Sequence, residues 1–299
     1  MKIGIIINHA EDTDTGLTPS YNELRQIVVA AETAGLDSIW FYDHLLFRSD
    51  DGKTEGIWEC WTLLSALAEA TSRVELGTVV LCTPFRNPAL LAKMAHTLDE
   101  VSNGRLILGI GAGWHKPEFD AFGYPFNHRV DRFEEALQIL PPLLKGETVS
   151  FSGTHYQVKD CVIKPLGPRP DGIPLLIGAG RPRMLRLTAR YADQWNTAWL
   201  GDPEGLAERL ERIRKACDEV GRDPATLDIT VGITIEFPDL GKTDPFARNP
   251  LGGSAESIAD AFHRYEEAGA DHLITQFTPF TLPALECLAE AVRLYRDQA

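Results

Sequence analysis

Short apolar runs and amphipathic stretches alternate along the whole chain. The first apolar run is Lys2–Asn8, and the segment behind it repeats Leu24, Ile27, Val28 and Ala31 at helical spacing. Thr18-Pro19 reads as the N-cap and first position of that helix, and Gly35 as its close. Further strands are expected at Ser38–Tyr42, Val74–Leu81, Arg105–Ile110, Ile173–Ile177, Asp193–Thr197, Leu227–Ile235 and Asp271–Gln276. Helices are expected near Trp58–Ala70, Pro88–Val101, Pro117–Phe122, Val130–Leu144, Pro182–Tyr191, Asp202–Gly221, Ser254–Ala268 and Leu282–Arg296. Near-continuous Val, Ile and Leu runs are what parallel strands buried on both faces require. Eight strand-helix units without a break in composition predict one closed (β/α)8 TIM barrel, residues 1–299, with insertions.

Two connections are long. Lys145–Gly172 should hold a hairpin, Val149–Phe151 against Tyr156–Val158 around Ser152-Gly153-Thr154, on the face opposite the chemistry. Phe237–Gly253 follows the seventh strand and is a candidate lid.

A barrel places its chemistry at the C-terminal ends of its strands. The second strand ends on Asp43 and His44. Neighbouring strand residues point to opposite faces, so one should meet a ligand while the other braces the loop. His44 is the candidate proton donor or acceptor; a hydrogen-bonded strand-end histidine is the alternative. The other strand ends supply Asn8 and His9, Cys82 and Thr83, and Gly111-Ala112-Gly113-Trp114-His115. Those glycines either leave room for a flat ring or simply form a layer of small residues. Gly178-Ala179-Gly180 runs into a helix with Arg181, Arg183 and Arg186, a suitable cradle for a phosphate, or else a tight turn beside surface arginines. A third glycine of the dinucleotide fingerprint is missing from both glycine runs, and no GK[ST] follows either.

The net charge of −14 argues against nucleic acid or an anionic membrane as partner. The five cysteines are widely spaced with no CxxC, which reads as reduced thiols. No apolar run is long enough for a signal peptide or a membrane span, so a cytoplasmic protein is expected. His9, His44 and His115 come from three strand ends but lack the HxH or HExxH spacing of a metal hydrolase, and no metal is expected.

Several segments together resemble the luciferase-like monooxygenase superfamily, and within it the coenzyme F420-dependent oxidoreductases. They are Ser38–His44, Leu76–Val80, Arg86–Ala89, Gly104–Trp114 with Glu118-Phe119, the Phe151–Tyr156 hairpin, Leu176–Gly180 and Arg190–Asn196. The resemblance implies a flavin-like ring at the mouth of the barrel and its phosphate on the Gly178–Gly180 loop. It implies that Val79-Val80 forms the bulge that supports the ring, which in the family is often built through a non-prolyl cis peptide. Cofactor contacts are then expected from Asp43, Thr78, Val79, Val80, Gly111, Ala112, Gly113, Gly178, Ala179, Gly180, Arg181 and Arg183. Asn8, His9, Trp58, Cys82, Trp114 and His115 should shape the substrate pocket, and His44 should serve catalysis. A homodimer is also implied. Some sugar-phosphate-oxidising relatives carry a glutamate where this chain has Trp114, which puts that substrate class in doubt. The expected activity is hydride transfer between F420 and a small organic substrate. An FMN-dependent two-component monooxygenase is the alternative, with a non-catalytic flavin-binding paralogue behind it.

Overall fold

The eight apolar runs pair side by side, all parallel and in chain order. They are β1 (Lys2–Ile6), β2 (Ser38–Phe41), β3 (Glu75–Thr78), β4 (Leu106–Gly111), β5 (Leu175–Gly178), β6 (Gln194–Leu200), β7 (Asp228–Glu236) and β8 (His272–Thr278). Leu108 opposite Leu175 joins β4 to β5, and Lys2 opposite His272 joins β8 back to β1, so the sheet closes. The computed structural model describes residues 1–12, 15–49, 51–169, 171–243, 247 and 249–298. Around the barrel lie α1 (Tyr21–Thr33), α2 (Cys60–Ala70), α3 (Pro88–Val101), α4 (Lys116–Phe122), α5 (Arg129–Leu144), α6 (Pro182–Tyr191), α7 (Leu206–Val220), α8 (Ala255–Glu267) and α9 (Leu282–Asp297). This is a (β/α)8 TIM barrel.

Two apolar layers follow from the strand alternation. Ile3, Ile5 and Ile7 of the first strand region join Ile39, Phe41 and Leu76 in the main core between barrel and helices. Ile6, Trp40, Ile107, Leu176 and Ile274 fill the barrel interior, with Tyr42, Val79 and Val80 packed against them at the mouth. Among the described residues, no helix is long and apolar enough to cross a membrane.

Several boundaries depart from the sequence pattern. The first helix is capped by Ser20, not by Thr18-Pro19. Ser20 accepts from the Glu23 amide while the Glu23 carboxylate accepts from the Ser20 amide, 2.8 Å away, a reciprocal cap that outcompetes the upstream proline signal. The third strand is not continuous to Leu81. It stops at Thr78, the Val79-Val80 peptide is cis, and Leu81–Cys82 resumes pairing with β4. The sixth strand runs on to Leu200 through a register shift at Trp199.

The hairpin forms as Val149–Ser152 against Gln157–Cys161. Its tip does not stay on the face opposite the chemistry. Glu135, in the first half of α5, accepts the amides of Thr154, His155 and Tyr156 at 2.8, 2.8 and 3.0 Å, and His155 stacks 5.8 Å from His128 at the start of that helix. The hairpin therefore folds back along α5 towards the strand C-termini. In the Phe237–Gly253 segment, Leu251–Gly252 pairs with Ile235–Glu236. Residues 244–246 and 248 of that candidate lid lie outside the described residues.

Candidate active site

The parity of β2 divides the Asp-His pair. Ser38 and Trp40 point to the barrel axis, and Tyr42 and His44 continue on that side. Ile39 and Phe41 lie in the core between barrel and helices, and Asp43, two residues on, turns the same way. His44 is thus at the mouth, its side chain only 13% exposed, and its Nδ1 lies 3.1 Å from both carboxylate oxygens of Glu118. Glu118 is buried on α4 and also accepts the Leu45 amide at 2.9 Å. Nδ1 donating to that carboxylate leaves Nε2 without a partner among the described residues. Trp114 stands edge-on to the His44 ring at 5.5 Å, Phe47 lies 4.5 Å away and His115 6.2 Å. His115 accepts the Arg48 amide through Nε2 at 3.1 Å, and burial lowers its pKa.

Asp43 does not face the mouth, which corrects its assignment to the cofactor. Its carboxylate takes Arg86 at 2.5 and 3.1 Å and the Cys82 amide at 2.8 Å, while the Cys60 thiol donates at 3.3 Å. Arg86 reaches on to Glu59 at 2.8 Å. Asp43, Glu59 and Cys60 bring possible metal-ligand atoms within 4.8 Å of one another. Both carboxylates are engaged by Arg86, however, and burial with Asp43 alongside holds the Cys60 thiol protonated, well above its ordinary pKa. Asp43 therefore ties the end of β2 to the segment after Val80.

His9 likewise faces away from the axis. It is fully buried against Phe41 and Tyr42, donates from Nδ1 to the Ile7 carbonyl at 2.9 Å, and is pushed down to a pKa of about 4 by burial. It cannot shape a substrate pocket. Thr78 is buried too, exchanging hydrogen bonds with the Gly109 backbone. Cys82 is buried beside Asp43, which with desolvation pushes its thiol pKa up. Trp58 is half exposed and donates to the Pro19 carbonyl at 2.8 Å, outside the ring of groups around His44.

The glycines after β4 and β5 have a use that the sequence reading missed. A Cβ on Gly111 would come 2.6 Å from Val80 Cγ2, and one on Gly178 would come 3.2 Å from Val80 Cγ1. Both make room for the Val80 side chain at the mouth rather than directly for a ring. Gly113 has φ +75° and abuts Cys82 and Phe119, with Ala112 half-buried next to it.

Around Gly180 the arrangement is open: nothing lies within 4 Å of where its Cβ would be. A cavity of about 420 Å³ follows, bounded by Ala179, Arg181, Trp195, Thr197, Arg209 and Arg212. Arg212 donates to the Gly180 carbonyl, and Arg209 donates to Thr197 and to the Ala198 carbonyl, each at 2.6 Å. Arg181 precedes α6 without a side-chain cap on that helix. Arg183 points away, bound to Asp131 at 2.7 Å and Glu134 at 2.5 Å, so its assignment to a phosphate is corrected. Arg209 and Arg212 were not legible as site residues. They sit three apart on the polar side of α7, and only the packing of α7 on α6 brings them to the loop. An uncapped helix start, open space over a glycine and three guanidinium groups fit a phosphate-bearing cofactor.

A second cavity, of about 900 Å³, opens beside β1 and β8. Asn8 and Gln276 line it, together with Leu17, Phe280 and Leu282.

A parallel barrel with a histidine held by a buried carboxylate at its mouth and an arginine-bordered cavity at the end of β5 has the layout of a small-molecule site. Comparison with known proteins narrows it. The model of the luciferase-like monooxygenase family matches residues 1–237. The chain belongs to that family. It is 32% identical over 256 residues to the pyrimidine monooxygenase RutA of Methylorubrum extorquens (strain PA1), covering 81% of this chain and 66% of that protein. It is 33% identical over 221 residues to the phthiodiolone/phenolphthiodiolone dimycocerosates ketoreductase of Mycobacterium bovis (strain BCG / Pasteur 1173P2), covering 68% of this chain and 58% of the relative. The chain thus spans less than two thirds of either relative. Among solved structures, an F420-dependent secondary alcohol dehydrogenase in complex with an F420-acetone adduct superposes with a TM-score of 0.80 over 99% of both chains, at 21% identity.

Proposed function

We propose that the protein is an F420-dependent oxidoreductase that moves a hydride between the deazaflavin and a small organic substrate. The carrying observation is the orientation of His44: it alone of the strand-end pair faces the mouth, with Nδ1 held by buried Glu118 and Nε2 left for a ligand. The ring would lie against Val79 and Val80, with its phosphate at Gly178–Gly180, Arg181, Arg209 and Arg212. When bound, the deazaflavin would supply the hydride chemistry; the protein supplies binding, orientation and the proton. As an imidazolium held through Nδ1–H by Glu118, His44 would give its Nε2 proton to a substrate oxygen as hydride arrives at carbon; in the reverse direction the neutral ring, its proton kept on Nδ1, takes the proton at Nε2. Glu118 fixes the ring plane and the tautomer that presents Nε2. Trp114, Phe47 and His115 wall the space above it.

The identity to pyrimidine monooxygenases favours a second reading, in which the same mouth takes reduced FMN and the reaction uses oxygen. Fluorescence titration of the purified protein with F420 and with FMN separates the two. Micromolar F420 binding without FMN binding supports the first reading; the reverse pattern rejects it. His44→Ala should then lower turnover about 100-fold or more while cofactor affinity stays within a few fold. Unchanged turnover would remove His44 from the chemistry.

A further inference from the structure

We infer that the cavity beside β1 and β8 recognises a neutral substrate through a planar CO–NH edge, as in an amide, lactam or imide, read by Asn8 and Gln276. Ile6 and Ile274 both face the barrel axis. Asn8 and Gln276 lie two residues further along the same strands, so both turn to the same side at the mouth. The strands are neighbours, with Gly4 opposite Ile274 and Ile5 opposite Thr275.

The Asn8 carboxamide is oriented before any ligand arrives. The Ala10 amide, 3.3 Å away, can only donate, so the atom facing it is Oδ1. The Tyr42 hydroxyl donates to the same oxygen at 2.9 Å, and the Tyr42 ring is itself held 4.4 Å from His9. With Oδ1 doubly engaged, Nδ2 keeps two N–H groups that have no partner among the described residues. Gln276, half-buried in the same cavity, likewise has no partner among them.

Two half-buried carboxamides cost free energy on desolvation unless a ligand completes their hydrogen bonds. Asn8 offers donors only and asks for a carbonyl oxygen. Gln276 offers a donor and an acceptor side by side, the complement of CO–NH. Leu17, Phe280 and Leu282 provide apolar surface for the rest of the molecule.

A flavin or deazaflavin also carries such an edge, so the ligand chemistry has two sources. The cavity lies at β1 and β8, whereas the phosphate cradle lies across the barrel at β5. That placement assigns the edge to the substrate, and this step rests on the proposed function.

The test uses the intact protein with uracil as probe and 1,3-dimethyluracil, which keeps the carbonyls and loses both N–H groups, as control. Binding is followed by saturation-transfer NMR and calorimetry. Uracil should bind at least tenfold more tightly than the dimethyl compound. Gln276→Leu, the isosteric Gln276→Glu and Asn8→Ala should each weaken uracil about tenfold. The same variants should hold F420 and FMN within threefold of the unsubstituted protein. Equal binding of both probes, or no uracil binding by a folded protein, overturns the inference. Loss of cofactor affinity in the variants also overturns it, because the edge being read is then the cofactor's. If uracil binds as expected but neither cofactor does, the proposed function fails and the recognition site stands.

Discussion

Replacing Arg86 by Met should be among the most destabilising single changes at the mouth. The guanidinium is 12% exposed and its partner Asp43 is 0% exposed. Met keeps most of the apolar stem but removes two hydrogen bonds, of 2.5 and 3.1 Å, from the carboxylate. Asp43 would retain the Cys82 amide and the weak thiol donor of Cys60. Breaking one side of a buried ion pair costs roughly 3–5 kcal/mol, because the remaining charge stays desolvated. The Glu59 arm is partly solvated, which puts the expected loss near the lower end, about 3 kcal/mol. Urea unfolding followed by tryptophan fluorescence measures it, with an unchanged denaturant slope showing that only stability moved. The double variant Asp43→Asn with Arg86→Met should recover part of the loss, since a neutral amide can still accept from the Cys82 amide. A loss below about 1 kcal/mol for Arg86→Met would refute the reasoning, because a solvent-exposed pair behaves that way. So would a double variant less stable than the single one.

Three further outcomes follow from the same geometry. Gly111→Ala should cost about 1–3 kcal/mol through its approach to Val80 Cγ2, and Val80→Ala in the same chain should relieve it; strictly additive losses by denaturant unfolding would show that Gly111 serves something else. His9 titrates at about 4 when folded against an ordinary 6.5, so the unfolded chain takes up its proton first as the pH falls. The stability it contributes is therefore complete above about pH 6.5 and is lost on acidification towards pH 4, roughly 3 kcal/mol in all, and His9→Leu should flatten that part of the pH-stability profile. Parallel profiles for the two proteins would sink that account. For the proposed phosphate cradle, Arg212→Ala should weaken a phosphate-bearing cofactor about tenfold, more at low salt, whereas Arg183→Ala should change its affinity less than twofold. Equal effects in fluorescence titrations would restore Arg183 to the site.

The barrel was legible because parallel strands buried on both faces leave a continuous apolar signature. Pro88–Val101 and Pro182–Tyr191 are observed with the bounds that the sequence suggests, each opened by a proline at the first helical position. That same signature hid the site's finer geometry. When both faces of a strand are apolar, composition does not say which face meets the axis, so His9, Asp43 and His44 all read as candidates. The guanidinium pairings were hidden for a different reason: Arg183 and Arg212 are equally polar and equally helical, and only contacts between helices distinguish them.

One clue to the parity was nevertheless present. Trp40 stands opposite Gly77 on β3, and a Cβ on Gly77 would run into the Trp40 ring. On β1, a Cβ on Gly4 would strike the Ser38 hydroxyl and crowd the Trp40 indole nitrogen. A large ring flanked by glycines on both neighbouring strands is what a narrow barrel interior demands, since small and large residues must alternate around one layer. With Trp40 directed inwards, counting by two turns Tyr42 and His44 inwards and Asp43 outwards. The steric need of one tryptophan deep in the barrel thus determines which member of the strand-end pair can reach a ligand. It also puts the Tyr42 hydroxyl where it orients Asn8, so the proposed acid-base group and the proposed substrate reader share a single structural cause.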